Sequence, residues 1–210
     1  MSDAVAVAGA DGADGEETAN SNGVSFLERL RREHTIAHPY GEPTYWDERY
    51  ENGRREHGQL HSFDWYVEPE KIGTVLALHC GDHFGGKVLV VGCGNSNLSK
   101  VMHDMGYRSI TSIDTSTVVV SQMQYRYKDL EGMEFMVGDA TKLDMFPDAS
   151  FDAIIDKGCL DSIFCSYNST DNALCAYKEL CRLLRHGTGK FISVTYGSQE
   201  TRAAHMRLNR

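Results

Sequence analysis

Residues 87–96 read Lys-Val-Leu-Val-Val-Gly-Cys-Gly-Asn-Ser, and the rest of the chain is organised around them. Val88 to Val91 is an uninterrupted aliphatic run, the pattern of a strand covered on both faces. Gly92-Cys93-Gly94 then permits a sharp turn and close approach of a ligand to the backbone. Ser96 opens a helical pattern whose N-terminal dipole favours a polar or anionic group. Downstream the alternation continues. It predicts a helix over 96–105, a strand over 109–114, a helix over 117–130, strands over 133–137 and 151–156, a helix over 171–185 and a strand over 190–195. Strands alternating with helices imply a Rossmann-like α/β fold, a doubly wound, mostly parallel sheet with helices on both faces. Ligands of such sheets bind beyond the carboxyl ends of the strands.

The strand ends are chemically consistent with one another. Asp114 closes the second strand, where a carboxylate can accept both hydroxyl hydrogens of a ribose. Asp139-Ala140 follows the third, an acid for an exocyclic amine and a backbone N–H for a ring nitrogen of adenine. A dinucleotide fingerprint needs a third glycine, but that position is Asn97. S-adenosylmethionine has no phosphate to cradle and needs only the G-x-G turn and the ribose acid, so it is the expected cofactor. The fourth strand ends Asp156-Lys157-Gly158-Cys159-Leu160-Asp161. Asp156 and Asp161 there either position a cationic amine, or Asp156 caps a helix and pairs with Lys157. The Pro-Pro-aromatic turn that holds a flipped nucleobase is absent from this segment.

Upstream, 24–33 has the spacing of a short amphipathic helix. Tyr45, Trp46, Arg49 and Tyr50 follow at helical spacing with Thr44 as a cap. A basic loop carries Arg54, Arg55, His57 and His61, and a further helix is expected over 68–79. Residues 1–23 hold five acids (Asp3, Asp11, Asp14, Glu16, Glu17), no base and no aromatic residue, so they read as a disordered acidic tail. The 210-residue chain has 30 acids against 21 bases, which argues against a nucleic-acid partner. Its apolar runs are too short to span a membrane. Without a secretory or transit signal, a cytoplasmic location is expected. The six cysteines include no C-x-x-C pair. The cluster His79, Cys80, Asp82, His83 reads as a polar helix end rather than a metal site.

Tyr-Trp-Asp-Glu-Arg-Tyr (45–50), Phe-Asp-Trp (63–65), the 88–96 segment, Ser-Ile-Asp with Val-Val-Val (112–120) and Asp-Lys-Gly-x-Leu-Asp (156–161) together resemble the seven-strand methyltransferases that modify lysine of translation elongation factor 1-alpha. The resemblance runs from about Thr44 to Thr195. It implies transfer of a methyl group from S-adenosylmethionine to a protein lysine, with elongation factor 1-alpha as the protein partner. It also implies that Trp46, Tyr50 and Trp65 close over the cofactor, Gly92 meets its methionine part, Asp114 and Thr115 its ribose, and Asp139 and Ala140 its adenine, with Lys157 nearby. From the residues alone, Trp46 and Trp65 read as core. The family's usual Thr is Cys159 here, and 164–170 is shorter than the family pattern, both near the acceptor side.

On this reading 24–86 is a helical segment covering the cofactor and 87–210 a methyltransferase core. The resembled fold ends in an antiparallel strand pair, which the sequence after 195 is expected to lack. No catalytic residue, oligomeric state or target lysine is assigned. A small-molecule methyltransferase and a cofactor-binding scaffold without transfer activity are the alternatives, since a fold does not select its acceptor.

Overall fold

The computed structural model describes residues 4–8, 39–58, 61–80 and 85–207; the helix expected over 24–33 lies outside them. The described strands are β1 (Ala4–Ala8), β2 (Val88–Val91), β3 (Ile110–Asp114), β4 (Met133–Val137), β5 (Ala153–Lys157) and β6 (Lys190–Thr195). A 3₁₀ turn, Pro39–Gly41, precedes α1 (Pro43–His57) and α2 (Pro69–Cys80). The remaining helices are α3 (Leu98–Asp104), α4 (Thr117–Arg126), α5 (Cys159–Phe164), α6 (Ser169–Leu183) and α7 (Gln199–Arg207).

The strands form one sheet in the order β1-β6-β5-β2-β3-β4, and every pairing is parallel. β2 leads through α3 to β3 on one side, while β5 flanks it on the other. The strand order therefore reverses between β2 and β5, opening a crevice at their carboxyl ends. Alternation along β2 divides the core. Val88 and Val90 face a layer with Leu76, Met102 and Met123, whereas Leu89 and Val91 face Leu160, Tyr177, Leu180 and Leu183. Burial on both faces is why the strand reads as a continuous apolar run.

Four expectations change. Ala4–Ala8, expected within a disordered tail, forms an edge strand in register with β6, from Ala4 beside Phe191 to Ala8 beside Thr195. Its five residues are all apolar (Ala-Val-Ala-Val-Ala), a local run that the acidic average of 1–23 conceals, and pairing satisfies backbone groups along the β6 edge. Arg54, Arg55 and His57 lie in the last turn of α1 rather than in a loop. The two Arg charges suit a helix C-terminus, and Glu51 one turn earlier holds Arg54 at 2.5 Å and Arg55 at 3.3 Å. The N-cap of α1 is Glu42, not Thr44, because Pro43 is pre-set for the first helical position and has no N–H to satisfy. Finally, the helix left open as one option after Asp156 is present as α5; at six residues it is too short to show a period.

Within the 24–86 segment the two described helices differ in role. α1 carries residues over the crevice, but α2 packs into the core: Ile72 and Leu76 are buried beside Met102 of α3. Leu76 is fully buried, so Leu76→Ala is expected to lower stability by about 2–5 kcal/mol, read as a fall in the urea midpoint. A loss below ~1 kcal/mol would mean that α2 does not carry this part of the core.

Candidate active site

A cavity of about 410 Å³ opens at the carboxyl ends of β2, β3, β4 and β5, within the usual range of small-ligand sites, roughly 300–1,000 Å³. All ten residues expected from the sequence to contact the cofactor line it: Trp46, Tyr50, Trp65, Gly92, Gly94, Asp114, Thr115, Asp139, Ala140 and Lys157.

The floor depends on two glycines with positive φ. Gly92 (φ 58°) turns the chain where β2 meets β5, and a Cβ there would lie 2.5 Å from Cβ of Cys159. At Gly94 (φ 51°) a Cβ would lie 2.8 Å from the Tyr50 hydroxyl. Any side chain at either position would strain the backbone and fill the cradle. Asp114 is buried and accepts hydrogen bonds from Gly94 N–H (2.8 Å) and Ser116 N–H (3.0 Å). Burial pushes its carboxyl pKa up, and those N–H groups oppose the shift. A carboxylate has about four acceptor sites, so two N–H donors leave capacity for a diol. Asp139 is exposed and accepts from the Thr141 N–H and hydroxyl, both at 2.8 Å, which fixes the turn that presents buried Ala140.

The roof is aromatic. Trp46 stacks on Tyr50 (centroids 5.9 Å apart) and meets Trp65 edge to face at 6.4 Å. Tyr40 packs against both indoles, and its carbonyl accepts from Trp46 Nε1 at 2.8 Å. Neither Trp is fully buried: they pack against one another and face the cavity. Asp47 joins this roof to the floor through the Ser116 hydroxyl at 2.5 Å.

The carboxylates of the 156–161 segment resolve differently from the two options left open. Asp156 is completely buried and does not line the cavity. It accepts from Leu160 N–H (3.1 Å) at the start of α5 and from the Ser193 hydroxyl (2.6 Å). It is thus the helix-capping acid, but Lys157 pairs with Asp64 instead (2.9 Å, both side chains buried). Asp161 is also engaged: it accepts from Tyr66 Oη (2.8 Å), Thr195 Oγ1 (2.5 Å), the Tyr196 N–H (2.9 Å) and Arg202. Neither acid is available to a cationic amine. Burial and nearby acids hold the Cys159 thiol well above its ordinary pKa, so it is a packing thiol rather than a nucleophile.

Asp64 is the residue that sequence reasoning missed. Besides Lys157 it accepts from the Ser96 hydroxyl and from Asn97 N–H (3.3 Å), closing the start of α3. It stands between two noted aromatics, but its partner is far away in sequence, and no local pattern reports that. Tyr40, Glu42, Pro43 and Phe63 also line the cavity without having been singled out. Of the His79–His83 cluster, Asp82 and His83 lie outside the described residues; among those described, no three metal-binding side chains converge.

Two outcomes follow. Asp64→Asn strands a buried ammonium and is expected to cost about 3–5 kcal/mol. Adding Lys157→Met should recover part of that loss; failure of the double variant to recover any would show that the two groups are not coupled. Burial raises the Asp156 pKa from 3.8 to about 6. The folded state then holds a proton that the unfolded chain has released, and stability falls as pH rises through that window. Asp156→Asn should flatten the fall, measured as urea midpoints across the window, and an unchanged profile would remove Asp156 as its source.

The family described as a methyltransferase domain matches residues 82–209. EEF1A lysine methyltransferase 4 of Mus musculus is 34% identical over 187 residues, which cover 81% of this chain and 67% of that protein. The eEF1A lysine and N-terminal methyltransferase homolog of Drosophila melanogaster is 33% identical over 159 residues, 74% of this chain and 22% of that protein. The chain thus spans about a fifth of the longer relative. Among solved structures, the PH0226 protein of Pyrococcus horikoshii OT3 superposes with a TM-score of 0.55 at 28% identity, over 69% of this chain and 66% of that one. The chain belongs to the methyltransferase-domain family, with S-adenosyl-L-methionine as its cofactor.

Proposed function

We propose that this protein transfers a methyl group from S-adenosylmethionine to the ε-amine of a protein lysine, with translation elongation factor 1-alpha as the acceptor. The observation carrying the proposal is the convergence of Gly92, Gly94, Asp114, Asp139 and Ala140 from three successive strand ends under one aromatic roof. The lysine acceptor is supported by the relatives, which are named as eEF1A lysine methyltransferases. A translation-factor substrate also favours a cytoplasmic site of action, and no described helix is long and apolar enough to cross a membrane.

When bound, the cofactor supplies a cationic sulfonium methyl whose leaving group needs no acid. The chain's own residues supply the rest. Asp114 and Thr115 would hold the ribose, Asp139 and Ala140 the adenine, and the Gly92–Gly94 turn the methionine part. Trp46, Tyr50 and Trp65 exclude water and offer ring faces that favour a cation. Lys157 would repel a sulfonium if it stood alone, but its ion pair with Asp64 neutralises that charge. The acceptor lysine is protonated at neutral pH and must release its proton to bulk water before its lone pair can be aligned with the methyl. Since Asp156 and Asp161 are engaged elsewhere, desolvation among the cavity walls is the route that lowers the amine's pKa.

The test is labelled-methyl transfer into cell lysate, with the modified residue mapped by mass spectrometry. A labelled lysine on elongation factor 1-alpha is expected, and Asp114→Ala should abolish both the label and cofactor binding by calorimetry. Transfer to small molecules alone would overturn the lysine assignment. Binding without any transfer would mark a scaffold.

A further inference from the structure

The cavity has an entrance that the cofactor residues leave unassigned. Its lining also includes Tyr40, Gly41, Glu42 and Pro43 on one side and Ser162, Ser166, Tyr167 and Asn172 on the other, and of these Glu42 and Tyr167 are exposed to solvent and take the place of a rim. The two lips touch: a Cβ on Gly41 would fall 2.4 Å from Cα of Ser166. The second lip is itself braced, since Asn172 Nδ2 donates to Ser166 Oγ and to the Tyr167 carbonyl, both at 3.0 Å.

Two side chains on this rim are unusual. Glu42 occupies the N-cap position of α1 but makes no capping bond, and among the described residues no hydrogen bond or ion pair engages its carboxylate. Tyr167 is 81% exposed, a large ring held open beside the entrance by a braced turn. The charge lining the cavity gives both a context. Its charged side chains are Glu42, Asp114, Asp139 and Lys157, and Lys157 is neutralised by Asp64. Asp114 and Asp139 face the nucleoside half, which leaves Glu42 as the rim's own charge. An uncommitted carboxylate and an open aromatic face lining the same cavity are complementary to an ammonium on an aliphatic stem.

We propose that Glu42 and Tyr167 form the acceptor entrance and select a cationic side chain, recruiting the lysine before it loses its proton. This rests on the lysine reading above and adds the residues that would enforce it. Acting at the rim, Glu42 affects capture and not the chemical step, so its signature is in KM.

The test compares initial rates of labelled-methyl transfer to purified elongation factor 1-alpha for the wild-type chain and Glu42→Gln, Glu42→Asp, Glu42→Lys and Tyr167→Ala, with cofactor affinity measured by calorimetry. Glu42→Gln should raise the protein KM roughly two- to fivefold, the worth of one exposed charge pair, with kcat and cofactor affinity unchanged. Glu42→Lys should raise KM by about tenfold or more, because attraction becomes repulsion. Glu42→Asp should retain most of the capture, Tyr167→Ala should raise KM, and added salt should narrow the gap between Glu42→Gln and wild type. An active wild type with an unchanged KM in Glu42→Lys would overturn the entrance alone, as would a loss confined to kcat or cofactor affinity. A wild type that binds cofactor but labels no protein lysine would overturn the lysine reading, and the entrance with it.

Discussion

The buried ion pair between Asp64 and Lys157 is the constraint on which the site depends. Lys157 is the last residue of β5, at the reversal of strand order, and Asp64 belongs to the segment that crosses above the sheet. Removing two charges from water is costly and is offset only when the pair is close and otherwise hydrogen-bonded. Here the separation is 2.9 Å, and the Ser96 hydroxyl and Asn97 N–H supply further donors to the same carboxylate. One acid thereby ties the covering segment to two strand ends and sets the floor and roof of the cavity at a fixed distance. It also removes a positive charge from a site that must receive a cationic cofactor.

A second set of restraints fixes the walls. Asp161 gathers Tyr66 from the covering segment, Thr195 and Tyr196 from the end of β6, and Arg202 from α7. Tyr66 reaches it from a left-handed backbone conformation (φ 68°), a strained geometry that a bulky residue keeps only where surrounding contacts hold it. Asp156, five residues earlier, is committed to α5 and Ser193. Both acids of the Asp-Lys-Gly-x-Leu-Asp segment therefore build the site rather than act in it. The carboxylates left facing the cavity are those of Glu42, Asp114 and Asp139.

The aromatic residues show how a single pattern can serve packing and binding together. Trp46, Tyr50 and Trp65 contact one another and Tyr40, as a small core would. Yet they also line the cavity, so the choice between core and cover was not a real alternative.

What the sequence determined by itself was the order of elements and the residues at the strand ends. β2 is buried on both faces, which writes an unbroken apolar run that can be read locally, and β3 and β4 are each followed directly in sequence by the residues at their carboxyl ends. Gly92, Gly94, Asp114, Asp139 and Ala140 were legible for that reason. What only the tertiary structure decided involves partners separated in sequence: Asp64 with Lys157, Arg202 with Asp161, Gly41 against Ser166, and β1 beside β6. These contacts depend on which surfaces the folded sheet brings together, and neither composition nor periodicity encodes a distance across the fold. Whether Asp156 faces ligand or helix was undecided for the same reason, because a side chain's partner is set by the strand next to it and not by its neighbours in the chain.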